Sequence, residues 1–119
     1  VDDVALNRMT ARAMLEHAGH VVDVAEDGPA ALAAMARAPL PDIILMDQSM
    51  PGMDGYMAAR HIRSMAGPAG RLPILAVTAN ALPEDIAASL AAGMDGHVSK
   101  PIELKALLAA IAAVLHRTR

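Results

Sequence analysis

The sequence predicts an α/β protein built on a parallel sheet, and two patterns carry that prediction. Short apolar runs alternate with helix-period segments five times along the 119 residues, the mark of successive strand-helix-strand units. One run, Ile43-Ile44-Leu45-Met46, is apolar without alternation, as a parallel strand covered on both faces would be. Asp47 ends that run and opens Gln48-Ser49-Met50-Pro51-Gly52-Met53-Asp54-Gly55. A carboxylate placed where a parallel strand stops lies at the sheet edge where ligand chemistry in open α/β folds is found.

The elements follow in order. A first helix is predicted from Val4 to Ala18, where Leu6, Thr10, Met14 and Ala18 recur every fourth residue and Ala11 and Leu15 widen the inward stripe. Gly19 ends it as a left-handed cap. Val21 to Ala25 reads as a short strand, Pro29 to Ala36 as a helix, and Ile43 to Met46 as the buried strand before Asp47. Asp54-Gly55 opens a third helix through Met65, with Asp54 able to cap its free amides. Gly67-Pro68-Ala69-Gly70 is loop, and Ile74 to Val77 is a fourth strand. Pro83 to Ala92 is a helix with Pro in its first turn and Glu84-Asp85 suited to the helix dipole, closed by Gly93. A strand from His97 to Ser99 precedes a last helix from Ile102 to His116, whose inward face is Leu104, Leu107, Leu108, Ile111 and Leu115.

Composition limits what such a chain does. Its length suits one domain with a single core, and neither linker nor repeat suggests a second. Tyr56 is the only aromatic residue, so Leu, Ile, Val, Met and Ala fill the core, and the nine methionines read as gap-fillers. Without cysteine there is neither a disulfide framework nor a thiolate metal site, which is compatible with the cytoplasm. No apolar stretch reaches the length of a membrane span, and a net charge of -3 with scattered Lys and Arg argues against direct nucleic-acid binding. His17, His20, His61 and His116 show no metal-ligand spacing and are expected at the surface.

Asp47 does not stand alone. Asp2-Asp3 lies at the chain start, Thr78 ends the run Ile74-Leu75-Ala76-Val77, and Lys100 ends His97-Val98-Ser99. Strand ends thus offer an acid, a hydroxyl and an amine, with a pair of acids beside them. In this combination the sequence resembles the receiver domain of two-component response regulators and hybrid histidine kinases. The matching segments are Val1-Asp2-Asp3, Leu45-Met46-Asp47 with Met50-Pro51-Gly52-Met53-Asp54-Gly55, Ala76-Val77-Thr78-Ala79-Asn80, and Ala91-Ala92-Gly93-Met94-Asp95-Gly96 running into Ser99-Lys100-Pro101-Ile102. Asn7-Arg8 and Thr78-Ala79-Asn80-Ala81 look most similar to receivers of hybrid kinases and phosphorelays.

The resemblance implies a flavodoxin-like (βα)5 doubly wound fold, with strand order 2-1-3-4-5 and residues 1–119 forming one receiver domain. It also implies a first strand ahead of the acid pair, of which this chain supplies only Val1, so an N-terminally truncated domain is expected. Losing that inner strand would separate its two neighbours and expose two hydrogen-bonding edges. By the same resemblance, Asp47 accepts a phosphoryl group from a phosphohistidine of a histidine kinase or histidine phosphotransfer domain. Asp3 and Asp47 would ligate Mg²⁺ directly, Asp2 largely through water, and Ser49 through its backbone carbonyl. Thr78, Lys100 and the Ala79 N–H would bind the phosphoryl oxygens. Lys100-Pro101 resembles a cis-proline turn that aims the lysine inward, and Ser49 and Asn80 occupy positions that influence loss of the phosphoryl group. His97 departs from the family, which usually carries Tyr or Phe there as a rotating switch.

Independently of the resemblance, three carboxylates at one sheet edge repel one another and raise each other's pKa unless a cation joins them, and a hard divalent ion with oxygen ligands answers this. Phosphoryl transfer needs little from the protein beyond in-line positioning and neutralised charge. The expected protein is therefore a phosphoacceptor switch, signalling through the face built from the fourth helix, fifth strand and fifth helix, and not an enzyme with a diffusing substrate. The chain could belong to a hybrid sensor kinase, although it carries no ATP-binding motif, with output or kinase domains in the same polypeptide. An aspartyl-phosphate phosphohydrolase would commonly need a second acid where Ser49 stands. An inactive pseudo-receiver would usually have lost an acid or the lysine.

Overall fold

The computed structural model describes all residues except Ala38, Pro51, Asn80, Ala81 and Arg119, and also leaves aside the side chains of Arg117 and Thr118. Helices α1 (Ala5–His17) and α2 (Gly28–Met35) precede strand β1 (Ile44–Asp47). Helix α3 (Gly55–Arg63), a 3-10 turn (Gly67–Arg71), β2 (Ile74–Thr78), α4 (Pro83–Ala91), β3 (Gly96–Ser99) and α5 (Leu104–Thr118) follow. The strands form a parallel sheet in the order β1-β2-β3, with Ile44 opposite Ile74 and Leu75 opposite Gly96.

Alternation along the strands sends side chains to both faces. Ile44, Met46, Ile74 and Ala76 join Ala31, Met35, Ala58, Ala59 and Ile62 in one core cluster beneath α2 and α3. Leu75, Val77 and Val98 join Leu15, Leu107, Ile111 and Val114 in the other, beneath α1 and α5. All five residues of β2 are buried, as the central position between two helical layers requires.

The helix ends follow local chemistry. Asp27 and Asp54 cap α2 and α3 by accepting the amides of Ala30 and Met57 at 2.8 and 2.9 Å. Gly19 and Gly93, with φ of 94° and 97°, take the left-handed conformation expected after α1 and α4. Arg63, at the end of α3, donates to the carbonyls of Gly70, Leu72 and Gly93 and to Asp95 Oδ2, which also accepts the Ile74 amide. One guanidinium thus ties α3, the 3-10 turn and the starts of β2 and β3 together.

Four expectations need correction. Val21 to Ala25 is not a strand. The segment receives a ladder-type bond from the Asp2 amide to the Ala25 carbonyl (3.2 Å), too little for a ladder, and Val21 is 99% exposed. Val1 lies on the other side of that bond, donating to the Leu45 carbonyl and accepting from the Asp47 amide (3.0 Å). Val1 and Asp2 therefore occupy the place between residue 25 and β1 that the order 2-1-3 gives to a first strand.

The inward stripe of α1 is also narrower than its periodicity suggests. Leu15 is buried and Met14 and Ala11 are partly so, but Leu6, Thr10 and Ala18 are exposed, because the second cluster meets α1 only near its C-terminal half. In α5 the buried residues are Leu107, Ile111 and Val114, while Leu104, Leu108 and Leu115 are half-buried. Residues Gly67 to Gly70, expected as loop, form the 3-10 turn.

Candidate functional site

Strand register brings the site together. Asp47 pairs with Val77 and Thr78 pairs with Ser99, so Asp47, Thr78 and Lys100 leave the sheet at the same edge, and the Lys100 amide donates to the Thr78 carbonyl at 2.7 Å. Val1, which donates to the Leu45 carbonyl and accepts from the Asp47 amide on either side of Met46, delivers Asp2 and Asp3 to that edge. Asp2 Oδ1 accepts the Val4 amide at 2.9 Å at the entry to α1, and Arg8 donates to the Asp2 carbonyl at 2.8 Å. The acid pair thus turns the chain into α1, yet neither acid is that helix's N-cap, which is Val4.

Lys100 Nζ lies 3.2 Å from Asp47 Oδ1 and 3.7 Å from Asp2 Oδ2. The Ser49 amide donates to Asp47 Oδ1 at 3.3 Å. Asp47 and Thr78 are both 3% exposed, whereas Asp3 is exposed. Gly55 packs so tightly on this loop that a Cβ there would stand 2.2 Å from the Asp47 carbonyl oxygen. Only glycine fits beside the Asp47 backbone.

The Asp47 carboxyl is pushed above its usual range, first by burial and less by the charge of Asp2. The Lys100 and Ser49 hydrogen bonds oppose that push. Repulsion within the acid cluster, the cause expected from sequence, is therefore subordinate to desolvation at Asp47.

Carboxylate oxygens of Asp2, Asp3 and Asp47 all lie within 4.8 Å of one another. Oxygens on an octahedral ion with bonds of about 2.1 Å stand roughly 3 to 4 Å apart, so this set suits a small hard cation after slight contraction. The cleft beside it is lined by Asp47, Ser49, Asp54, Thr78, Ala79 and Lys100, and also by Tyr56 and Asp85. From the sequence alone Asp54 and Asp85 have only helix-end roles and Tyr56 none. Their position in loops and first turns facing the Asp47 edge was the available signal.

The Lys100–Pro101 peptide is cis, as the motif implied. His97 is exposed and does not line the Asp47 cleft; it lines a second groove with Ser99, Pro101 and Glu103, and Lys100 borders both. His17, His20, His61 and His116 are exposed, as expected. Asn80 lies outside the described residues.

The family model for the response regulator receiver domain matches residues 1–112. The chain is 44% identical over 110 residues to the two-component response regulator ORR41 of Oryza sativa subsp. japonica, a match covering 90% of this chain and 84% of that protein. It is 39% identical over 119 residues to the sensor histidine kinase RcsC of Salmonella typhi, covering 100% of this chain but 12% of the kinase. Among solved structures, the chemotaxis protein CheY4 of Vibrio cholerae superimposes with a TM-score of 0.87 at 32% identity, over 95% of this chain and 92% of that one. The receiver domain of the sensor histidine kinase PA1611 from Pseudomonas aeruginosa, solved with a magnesium ion in its active-site cleft, does so with a TM-score of 0.86 at 36% identity, over 98% and 93%. With the acid cluster, Thr78 and Lys100 at one sheet edge and this likeness along nearly its whole length, the chain belongs to the response regulator receiver domain family.

Proposed function

We propose that Asp47 accepts a phosphoryl group from a phosphohistidine of a histidine kinase or phosphotransfer domain. The observation that carries this reading is a buried Asp47 carboxylate at the end of β1 with the Lys100 ammonium 3.2 Å away. A carboxylate oxygen of Asp47 attacks phosphorus, the P–N bond breaks as the P–O bond forms, and the imidazole nitrogen leaves with the electron pair and takes up a proton. Lys100 and the Thr78 hydroxyl would stabilise the transferred oxygens, and the N–H of Ala79, which lines the same cleft, would join them.

Asp3 and Asp47 would hold Mg²⁺ directly, with Asp2 through water and the Ser49 carbonyl completing the protein's share. The bound ion supplies charge neutralisation for the phosphoryl oxygens. Ser49 and Asn80 would set how fast water removes the phosphoryl group. The signal would leave through the face of α4, β3 and α5, where His97 stands in place of an aromatic switch beside Pro101. The domain works as a cytoplasmic switch module, in a separate regulator or as the receiver segment of a hybrid kinase.

Incubation with Mg²⁺ and acetyl phosphate should add one phosphate per chain by intact mass, and Asp47→Asn should abolish it. Equal labelling of that variant would overturn the assignment.

A further inference from the structure

Gln48 follows Asp47 directly and is tied down on three sides. Its amide donates to the Val77 carbonyl at 3.1 Å and its carbonyl accepts the Gly55 amide at 3.0 Å. Its side-chain Nε2 donates to Ser89 Oγ, 41 residues away on α4. The Ser89 hydroxyl spends its one proton on the Asp85 carbonyl (3.1 Å), leaving its lone pairs for Gln48.

Ser89 is the buried residue of α4, at 3% exposure, whereas Leu82 and Leu90 are 52% and 56% exposed. Most helices are held to their sheet by apolar burial. Here the buried anchor is a hydroxyl, and its partner is the residue next to the phosphoacceptor. An element with so little buried apolar surface is drawn from the low-stability end of a fold and moves readily. We infer that the Gln48–Ser89 hydrogen bond is the strut through which the state of Asp47 reaches α4, with both residues acting as positioning residues. This rests on Asp47 being the phosphoacceptor. His97 is exposed on β3 and is not among the residues lining the Asp47 cleft, so the strut gives the chain a route to α4 that does not pass through that side chain.

The test is amide hydrogen exchange of α4, with and without beryllofluoride and Mg²⁺, in the wild type, Ser89→Ala and Gln48→Met. Ser89 lies outside the cleft, so Ser89→Ala should still take one phosphate from acetyl phosphate. In the unmodified protein both variants should lower α4 protection about fivefold, the loss of one net hydrogen bond of roughly 1 kcal/mol. The change in α4 protection caused by beryllofluoride should shrink severalfold in each, and the double variant should show no further loss. An α4 response equal to wild type in both variants, with labelling intact, would overturn the strut alone. A wild type that binds neither phosphate nor beryllofluoride would overturn the acceptor reading with it.

Discussion

The Lys100 ammonium and the Asp47 carboxylate, 3.2 Å apart, are unequally buried: the Asp47 side chain is 4% exposed and that of Lys100 27%. Removing one partner therefore has different consequences from removing the other. Lys100→Ala leaves a desolvated carboxylate without its cation, and we expect a loss of about 1 to 3 kcal/mol in chemical denaturation. Phosphate uptake should fall about 10²- to 10³-fold, as when one electrostatic donor to a transition state is removed. A Lys100→Ala protein as stable as wild type would show that the pair is solvated.

Asp47→Asn should act in the opposite direction. The folded-state pKa of Asp47 is raised, so the folded protein holds that proton more tightly than the unfolded chain, and the penalty is absent below the unfolded value of 3.8. It grows as pH rises through the folded pKa and is full above it. In Mg²⁺-free buffer Asp47→Asn should thus be more stable than wild type at neutral pH, and the gain should disappear in acid. A pH-independent difference between the two melting curves would contradict this.

Mg²⁺ titration should reveal one saturable site, weakened at least about tenfold in Asp3→Ala. Because protons compete for Asp47, wild-type affinity should begin to decline at a pH above that typical of an exposed aspartate. Unchanged affinity in Asp3→Ala would reduce the acid pair to its role at the entry to α1.

Substituting His97 tests whether that position matters. His97→Ala should change stability by less than about 0.5 kcal/mol, as expected for a residue exposed to solvent. His97→Tyr should enlarge the conformational response to beryllofluoride, measured by the shift of α5 and β3 amide resonances. An identical response in both variants would make the side chain a bystander.

Arg63→Ala should be the most destabilising of these changes, at about 2 to 4 kcal/mol, since it frees three carbonyls and one half-buried carboxylate together. Arg63→Lys should recover little, because an ammonium cannot reproduce the planar fork. A denaturation midpoint within error of wild type would contradict the role.

Much of this was legible in the sequence because it is local or repetitive. The run before Asp47, the caps Asp27 and Asp54 and the glycines after α1 and α4 state their structure in a few adjacent residues. Asp47, Thr78 and Lys100 were readable as a set because parallel strands bring their ends to one edge. Val21 to Ala25 was misread because a strand depends on its neighbours, which its own residues do not reveal. The stripe of α1 was misread for a similar reason: periodicity shows that a helix has an apolar face, not how far the core extends beneath it. The Gln48–Ser89 bond and the Arg63 clasp join residues 41, 30 and 32 positions apart, and no spacing rule announces such pairs.

Arg63 gathers the entrances of β2 and β3, while Asp47, Thr78 and Lys100 occupy the exits of all three strands. The sheet accordingly has a fixed base and a responsive rim, about four residues apart along each strand. Charge added at the rim would not be relieved by tilting β2 and β3 as whole strands, because their far ends are tied to α3 through Arg63. We expect any displacement to fall on the loops and on α4, so that the stiffness of the rim is set at the end of the sheet farthest from Asp47.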